Sequence, residues 1–205
     1  MYIYSNNNFT QVYTYLINLL KLQIMIFLRL IFLILFLIIG ILFTLGYNLF
    51  SIINIKNKLY NGEIYINNIK LSNTETNETI NYNYDELDID SIYKNILTYL
   101  YYGCIGTSCF IGLGIIFSYL RMKFISKILF IIAQTFMSTF VGLILFMYYS
   151  SSFIEQLIPF PKNIQGFQIP EEYKKISTSY GAGGLLLIIS TVAMIVLYIL
   201  YSFIG

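Results

Sequence analysis

The chain has 205 residues, of which 58% are hydrophobic and only 11% are charged, whereas an average soluble domain carries roughly 25% charged residues. This composition argues against a soluble globular fold and against a disordered chain, which needs low hydrophobicity and high charge. The net charge of +2 argues against nucleic acid as a partner, and the length fits one helical membrane domain.

The positions of the charged residues predict four transmembrane helices. Four long stretches contain no charged residue, and about 20 apolar residues suffice to cross the roughly 30 Å hydrocarbon core of a bilayer. We expect an all-α membrane fold, a four-helix transmembrane bundle with a small β-hairpin in its first outer loop. The predicted spans are residues 30–51, 97–119, 128–150 and 180–202.

Residues 1–29 form an N-terminal segment before the first span. From Val12 to Leu28 this segment mixes apolar residues with Gln, Asn and Lys, which leaves two alternatives: an amphipathic helix in the membrane interface, or an inward extension of the first span. The apolar core of that span is about 20 residues, longer than the roughly 7–15 residues of a signal peptide. We therefore expect a retained anchor rather than a cleaved signal.

Basic residues orient the bundle through the positive-inside rule. The charged residues of the N-terminal segment and of the short turn at 120–127 are all basic: Lys21, Arg29, Arg121, Lys123 and Lys127. We therefore expect this turn and both termini on the inner side of the membrane. The loops at 52–96 and 151–179 then lie on the outer side.

The first outer loop contains a hairpin signal. Asn61-Gly62 separates two strand-like runs, and this dipeptide suits a type I′ turn because both positions need a positive φ. Residues 69–71 predict a further short strand. An isolated hairpin is marginally stable in water, so we expect it to pack on the second outer loop. The predicted outer-loop contact residues are Ile64, Ile66, Phe160 and Phe167.

The sequence lacks the commonest general base and metal ligand, histidine, and carries no motif typical of an enzyme or a metal site. It has no histidine and only two cysteines, Cys104 and Cys109, which lie about 140° apart on one helix and cannot bridge each other. No phosphate loop, zinc spacing or nucleophile motif is present. We therefore expect no enzymatic activity, no cofactor and no metal. The sequon at Asn77 predicts a possible glycosylation site on the outer side.

Small and polar residues within the spans predict helix–helix packing rather than a ligand pocket. The spans carry no ionisable residue apart from tyrosines and the two thiols, which argues against coupled transport. The predicted packing residues are Gly103, Cys104, Thr107, Ser108, Gly112, Gln134, Ser138, Gly142 and Gly183.

This layout resembles the claudin-type tetraspan superfamily, in a divergent, protist-type form. The shared features are four spans, a long β-containing first outer loop, a short basic inner turn and a shorter second outer loop. Residues Ser152 to Pro159 resemble the aromatic-to-proline segment where claudins leave their third span, and Lys174 to Gly183 resembles the entry into their fourth. The first outer loop departs from claudins in lacking the Trp–Gly-Leu-Trp–Cys–Cys signature.

The resemblance implies a non-enzymatic membrane protein whose outer loops mediate protein–protein contact, in adhesion or as a scaffold. It implies the plasma membrane or secretory vesicles as the location, with the lipid bilayer, other membrane proteins or further copies of the chain as partners. The alternative is a structural subunit of a larger organellar membrane complex. A small channel or lipid carrier is supported only by polar residues along the third span, Gln134 and Ser138.

Overall fold

The computed structural model describes residues 4–58, 60–74, 76–86, 89–157 and 176–204. Four long helices account for most of this part of the chain: α1 (Tyr4–Asn48), α2 (Ser91–Tyr119), α3 (Lys123–Tyr149) and α5 (Ala182–Ile204). A short helix α4 (Ser151–Leu157) follows α3. All four long helices are apolar enough to cross a membrane, and at 1.5 Å per residue the shortest is about 34 Å long. The prediction of four long apolar helices is confirmed.

The helices extend beyond the predicted spans at several ends. Helix α2 begins at Ser91 and α3 at Lys123, within the stretches predicted as loop and basic turn, whereas α1 ends at Asn48, before residue 51. Charge-free stretches mark the hydrocarbon core, but helical hydrogen bonding continues into polar sequence on either side. The turn between α2 and α3 is therefore shorter than predicted.

Helix α1 is uninterrupted over 45 residues. The structure therefore supports an extension of the first span and not a separate interfacial helix. Side chains 11–27 are all exposed, and the first buried residue after them is Phe32. The N-terminal part of α1 thus projects beyond the rest of the bundle.

The four long helices form a closed ring in which each helix has two neighbours. Helix α1 packs against α2 and α5, and α3 packs against the same two helices. Three buried aromatic rings meet where α1, α3 and α5 converge. The rings of Phe36 and Phe130 stack at 4.0 Å, and Tyr201 lies edge-on to both. The Tyr201 hydroxyl hydrogen-bonds Ser118 of α2 at 2.8 Å, so one cluster joins all four helices.

A five-stranded antiparallel sheet covers one end of the ring, which we call the sheet end. Its spatial order is β4-β3-β2-β1-β5. The strands are β1 (Ile53–Lys56), β2 (Tyr60–Ile64), β3 (Asn68–Asn73), β4 (Thr79–Asn83) and β5 (Ser177–Tyr180). The first four belong to the first predicted outer loop, and the strand expected at residues 69–71 is confirmed as part of β3. The fifth comes from the segment that enters α5, so the sheet is larger than the predicted hairpin.

The predicted position of the first hairpin turn is wrong. Asn61 and Gly62 lie within β2, opposite Lys56 and Ile55 of β1. The turn lies earlier, where the Asn57 side chain accepts a hydrogen bond from the Tyr60 N–H at 2.6 Å and so fixes the reversal locally. Glycine is needed at position 62 for another reason: a Cβ there would lie 2.7 Å from Ile55 Cδ1.

The two segments predicted to lie on the outer side are joined by backbone pairing between β1 and β5. Ile53 pairs with Tyr180 and Lys56 with Ser177. The contact predicted for Phe160 and Phe167 lies outside the described residues, and so do the three prolines of the second loop.

Candidate functional site

The sheet has one apolar and one polar face. Alternate residues of β1, β2 and β3 are buried against the bundle, as expected for an antiparallel sheet with one face covered. Ile64 lies on this buried face, and Ile66 lies two residues beyond the end of β2; both are almost fully buried. The opposite face carries Asn, Ser, Lys and Glu side chains, so the surface available to a partner is polar.

Tyr84 fixes the turn between β2 and β3. The ring is buried, and its hydroxyl donates to the carbonyl oxygens of Tyr65 and Asn68, the latter at 2.9 Å. Burial raises the pKa of the Tyr84 phenol well above its usual value, because the charged form would lose its hydration. The hydroxyl therefore remains protonated and acts as a donor.

We expect Tyr84→Phe to destabilise the β2–β3 turn by about 1–3 kcal/mol, because two carbonyl oxygens lose a donor inside the fold. Hydrogen–deuterium exchange of peptides covering residues 60–73 should become faster. Tyr82→Phe is the matched control, since Tyr82 is a half-buried tyrosine of β4. Equal exchange rates in both variants would contradict the role assigned to the Tyr84 hydroxyl.

Strand β4 is the open edge of the sheet in the described part of the chain. The hydrogen bond from Asn73 N–H to the Glu78 carbonyl, at 2.9 Å, fixes which backbone groups face β3. Because successive residues of an antiparallel strand direct these groups to opposite sides, those of Thr79 and Asn81 point away from β3. Strand β4 therefore presents backbone donors and acceptors at the surface.

The opposite edge, β5, is better covered. The Tyr148 hydroxyl donates to the Thr178 carbonyl at 3.3 Å, and the Tyr148 ring stacks on Tyr180 at 4.2 Å. On β4, in contrast, Ile80 is 50% exposed. An exposed edge with an apolar side chain is a template for another strand, and of the two edges β4 is the more open.

A groove of about 240 Å³ runs between the sheet and α2, close to β4. Asp85 and Lys94 line it together with the exposed ring of Tyr102. The groove is therefore lined by one acidic and one basic side chain. Within the described ranges no group of three His, Cys, Asp or Glu side chains is placed to hold a metal.

The hairpin between β3 and β4 carries the predicted glycosylation site at its tip. Asn77 is exposed and has a φ of 56°, a left-handed conformation that asparagine tolerates in turns. Its position leaves the side-chain amide accessible.

Several predicted packing residues lie at helix interfaces. A Cβ at Gly103 would lie 2.7 Å from Phe140 Cε1 of α3, and Cys104 and Thr107 on the same side of α2 are fully buried. The Ser108 hydroxyl hydrogen-bonds Thr44 of α1 at 3.1 Å. These four residues of α2 therefore contact its two neighbours. Cys104 and Cys109 are both free.

Gly183 lies at the closest approach between α1 and α5. A Cβ there would clash with the Gly46 carbonyl oxygen and lie 2.6 Å from that of Phe50. The Gly183 N–H donates to the Ser51 carbonyl at 2.8 Å. A Cβ at Gly181 would clash with Ser51, and the Gly181 N–H donates to the Ile52 carbonyl at 2.8 Å. Gly183 was among the predicted packing residues, but Gly46 was not, because its only signal in the sequence is a single glycine within an apolar run.

The other predicted packing residues do not lie between helices. Nothing lies within 4 Å of a Cβ placed at Gly112 or Gly142. Ser138 is exposed, and Gln134 is half-buried with no hydrogen-bond partner among the described residues. The buried side of α3 instead consists of larger residues: Phe130, Ala133, Met137, Phe140, Ile144 and Met147. Gln134 and Ser138 thus do not line a path between the four helices.

A scan against protein-family models finds no family that matches the chain, and a search of curated proteins finds no match. The class of the protein therefore follows from its own structure. Four helices long and apolar enough to cross a membrane suggest an integral multi-pass membrane protein, with a small antiparallel sheet at one end of the helices.

Proposed function

We propose that the chain is a non-enzymatic, claudin-like four-span membrane protein whose outer sheet binds another protein. The arrangement of its elements supports this proposal. A β-rich segment follows the first span, a short turn with Arg121 joins the second and third spans, and a shorter segment before the fourth span adds a strand to the same sheet. This is the layout on which the resemblance to claudins rests.

The orientation in this proposal places the sheet outside and the basic turn inside. All ten acidic residues lie in the segments that the resemblance assigns to the outer side, at 63–90, 155 and 171–172, while the turn between α2 and α3 is purely basic. The positive-inside rule counts the basic residues of such short turns. The plasma membrane or secretory vesicles are the proposed location.

The open edge of β4 is the observation that carries the proposed contact. A partner that supplies an extended segment gains main-chain hydrogen bonds to Thr79 and Asn81, as in other cases of strand addition. The exposed Ile80 side chain adds an apolar contact, and the neighbouring groove supplies Asp85 and Lys94. The proposed partner is therefore a protein with an accessible strand, either a membrane protein or a second copy of this chain.

We expect Asn81→Pro to weaken partner binding by roughly tenfold, because proline removes the outward-facing N–H and blocks the edge. Proline is tolerated on edge strands, so the sheet itself stays folded. A photoreactive amino acid at Thr79, activated on intact cells, should give an adduct of defined mass whose yield falls in this variant.

Asn81→Ala is the matched control, since it keeps the backbone N–H and changes only an exposed side chain. Its adduct yield should remain at the parental level. A photoreactive residue at Lys56, on the polar face away from the edge, should give little adduct. Equal yields from Thr79 and Lys56, or an Asn81→Pro yield equal to that of Asn81→Ala, would refute strand addition at β4.

A second candidate function, a structural subunit of a larger membrane assembly, is favoured by the outward-facing side of α3. Gln134, Ser138 and Gly142 are spaced by four residues on this side, and amide and small side chains join helices in membranes. Enrichment in an inner organelle, together with a native mass several times that of one chain, would favour this function over contact at an outer surface.

A further inference from the structure

The end of the bundle opposite the sheet carries only basic charges. We call it the basic end; Arg29, Arg121 and Lys123 lie around it, between α1, the α2–α3 turn and the C-terminal part of α5. The sequence contains no acidic residue in 1–62, 91–154 or 173–205, so the helices that meet here supply no acidic side chain to Arg29 or Arg121.

Arg29 is held with its side chain partly buried at this end. Its guanidinium donates to the Ser118 carbonyl in the last turn of α2. A guanidinium has five N–H donors in a fixed fork, so one such bond leaves the others for a ligand. Within the described part of the chain Arg29 forms no ion pair.

Arg121 occupies a position that normally favours glycine. Leu120 is the C-cap of α2, and the hydrogen bonds from Arg121 N–H to the Ser118 carbonyl and from Met122 N–H to the Phe117 carbonyl form a Schellman motif. Arg121 has a φ of 63°, which costs a residue with a Cβ roughly 1–2 kcal/mol. Strained backbone conformations of this kind cluster at functional sites. Here the strained residue carries a second guanidinium group, which lines the same cleft as Arg29.

Two clefts lie on either side of these arginines. One, of about 280 Å³, is lined by Leu22, Met25, Phe32 and Tyr201. The other, of about 410 Å³, is lined by Phe27, Leu30, Leu33 and Tyr119. Arg29 and Arg121 line both clefts. The site therefore combines two adjacent cations with two mostly apolar clefts.

We propose that the basic end binds one anionic phospholipid, with its phosphate between Arg29 and Arg121 and its two acyl chains in the two clefts. Guanidinium groups bind phosphate oxygens through paired, charge-assisted hydrogen bonds. Basic pockets between membrane helices on the cytoplasmic side suit anionic headgroups.

The test is a thermal titration of the full-length protein in a neutral detergent. We expect dioleoyl phosphatidylglycerol to raise the unfolding midpoint in a saturable manner, because a ligand of the folded state stabilises it. Dioleoyl phosphatidylcholine and sodium phosphate should each give no comparable rise. An equal rise with phosphatidylcholine would refute recognition of the anionic headgroup, an equal rise with sodium phosphate would refute a lipid ligand, and no rise with phosphatidylglycerol would refute the site.

The Arg121→Gly variant distinguishes a loss of lipid affinity from a loss of folding stability. Glycine relieves the left-handed strain at the turn, so the midpoint without lipid should stay equal or rise, while the affinity for phosphatidylglycerol falls by roughly tenfold. Lys127→Gln is the control, since it removes a positive charge at the same end from a residue that lines neither cleft. Unchanged affinity in Arg121→Gly, or an equal loss in Lys127→Gln, would overturn the proposal.

Discussion

Gly183→Ala is expected to lower the thermal midpoint of the protein by roughly 6–12 °C. The new methyl group would meet the carbonyl oxygens of Gly46 and Phe50, and these belong to backbone that cannot rotate away. Overpacking of this kind costs up to about 3 kcal/mol. The closest contact between α1 and α5 would have to open, and the N–H of residue 183 would lose its bond to Ser51.

Gly106→Ala provides the control for this prediction. Gly106 lies in the middle of α2, and nothing lies within 4 Å of a Cβ placed there. Alanine favours helix over glycine by roughly 0.8–1 kcal/mol, so this variant should match or exceed the parental midpoint. Heating the purified proteins in detergent and measuring the fraction that stays monodisperse compares the two. Equal midpoints for both variants would show that the contact at Gly183 is not a tight one.

Gly62→Ala should destabilise the sheet by about 2–3 kcal/mol and leave the four helices inserted. The added methyl would lie 2.7 Å from Ile55 Cδ1 and 2.9 Å from Leu71 Cδ2. Both side chains are buried, so they can move only by straining the core under the sheet. Protease cleavage within residues 53–83, measured in vesicles with the sheet exposed, should become faster.

Asn61→Ala is the neighbouring control within β2, since Asn61 is exposed and its loss leaves the buried face intact. Cleavage should stay slow in this variant. If Gly62→Ala were as resistant as Asn61→Ala, the core beneath β2 would be looser than the structure shows.

The helices could be predicted from the sequence because a helix that crosses the hydrocarbon core is long and almost free of charged residues. The charge-free stretches alone were therefore enough to locate the four helices. The sheet was predicted only in part. Asn61-Gly62 is a strong turn signal taken alone, but the Asn57 side chain supplies a turn four residues earlier. Strand β5 has only four residues and a polar sequence, so nothing in it predicts a strand before β1 is placed beside it.

The small residues singled out on α2 lie against neighbouring helices, except Gly112, whereas Ser138 and Gly142 of α3 do not. Small residues indicate where a helix backbone can be approached, but they do not say which molecule approaches it. On α2, Gly103 accommodates the ring of Phe140. On α3, Met137 and Ile144 fill the bundle, while Ser138 and Gly142 face outward. The strained Arg121 was counted only as a positive charge, because its φ depends on a turn that the sequence does not reveal.

The pairing of β1 with β5 has a consequence for biosynthesis. Lys56 and Ser177, joined across the two strands, are separated by 121 residues. At about 5–20 residues per second, the ribosome needs roughly 6–24 s to supply the second strand after the first. During that interval β1 has an open edge that nascent neighbours or chaperones can occupy. Closure of the sheet therefore waits for the segment that leads into α5, and a chain stalled before residue 177 keeps the β1 edge exposed.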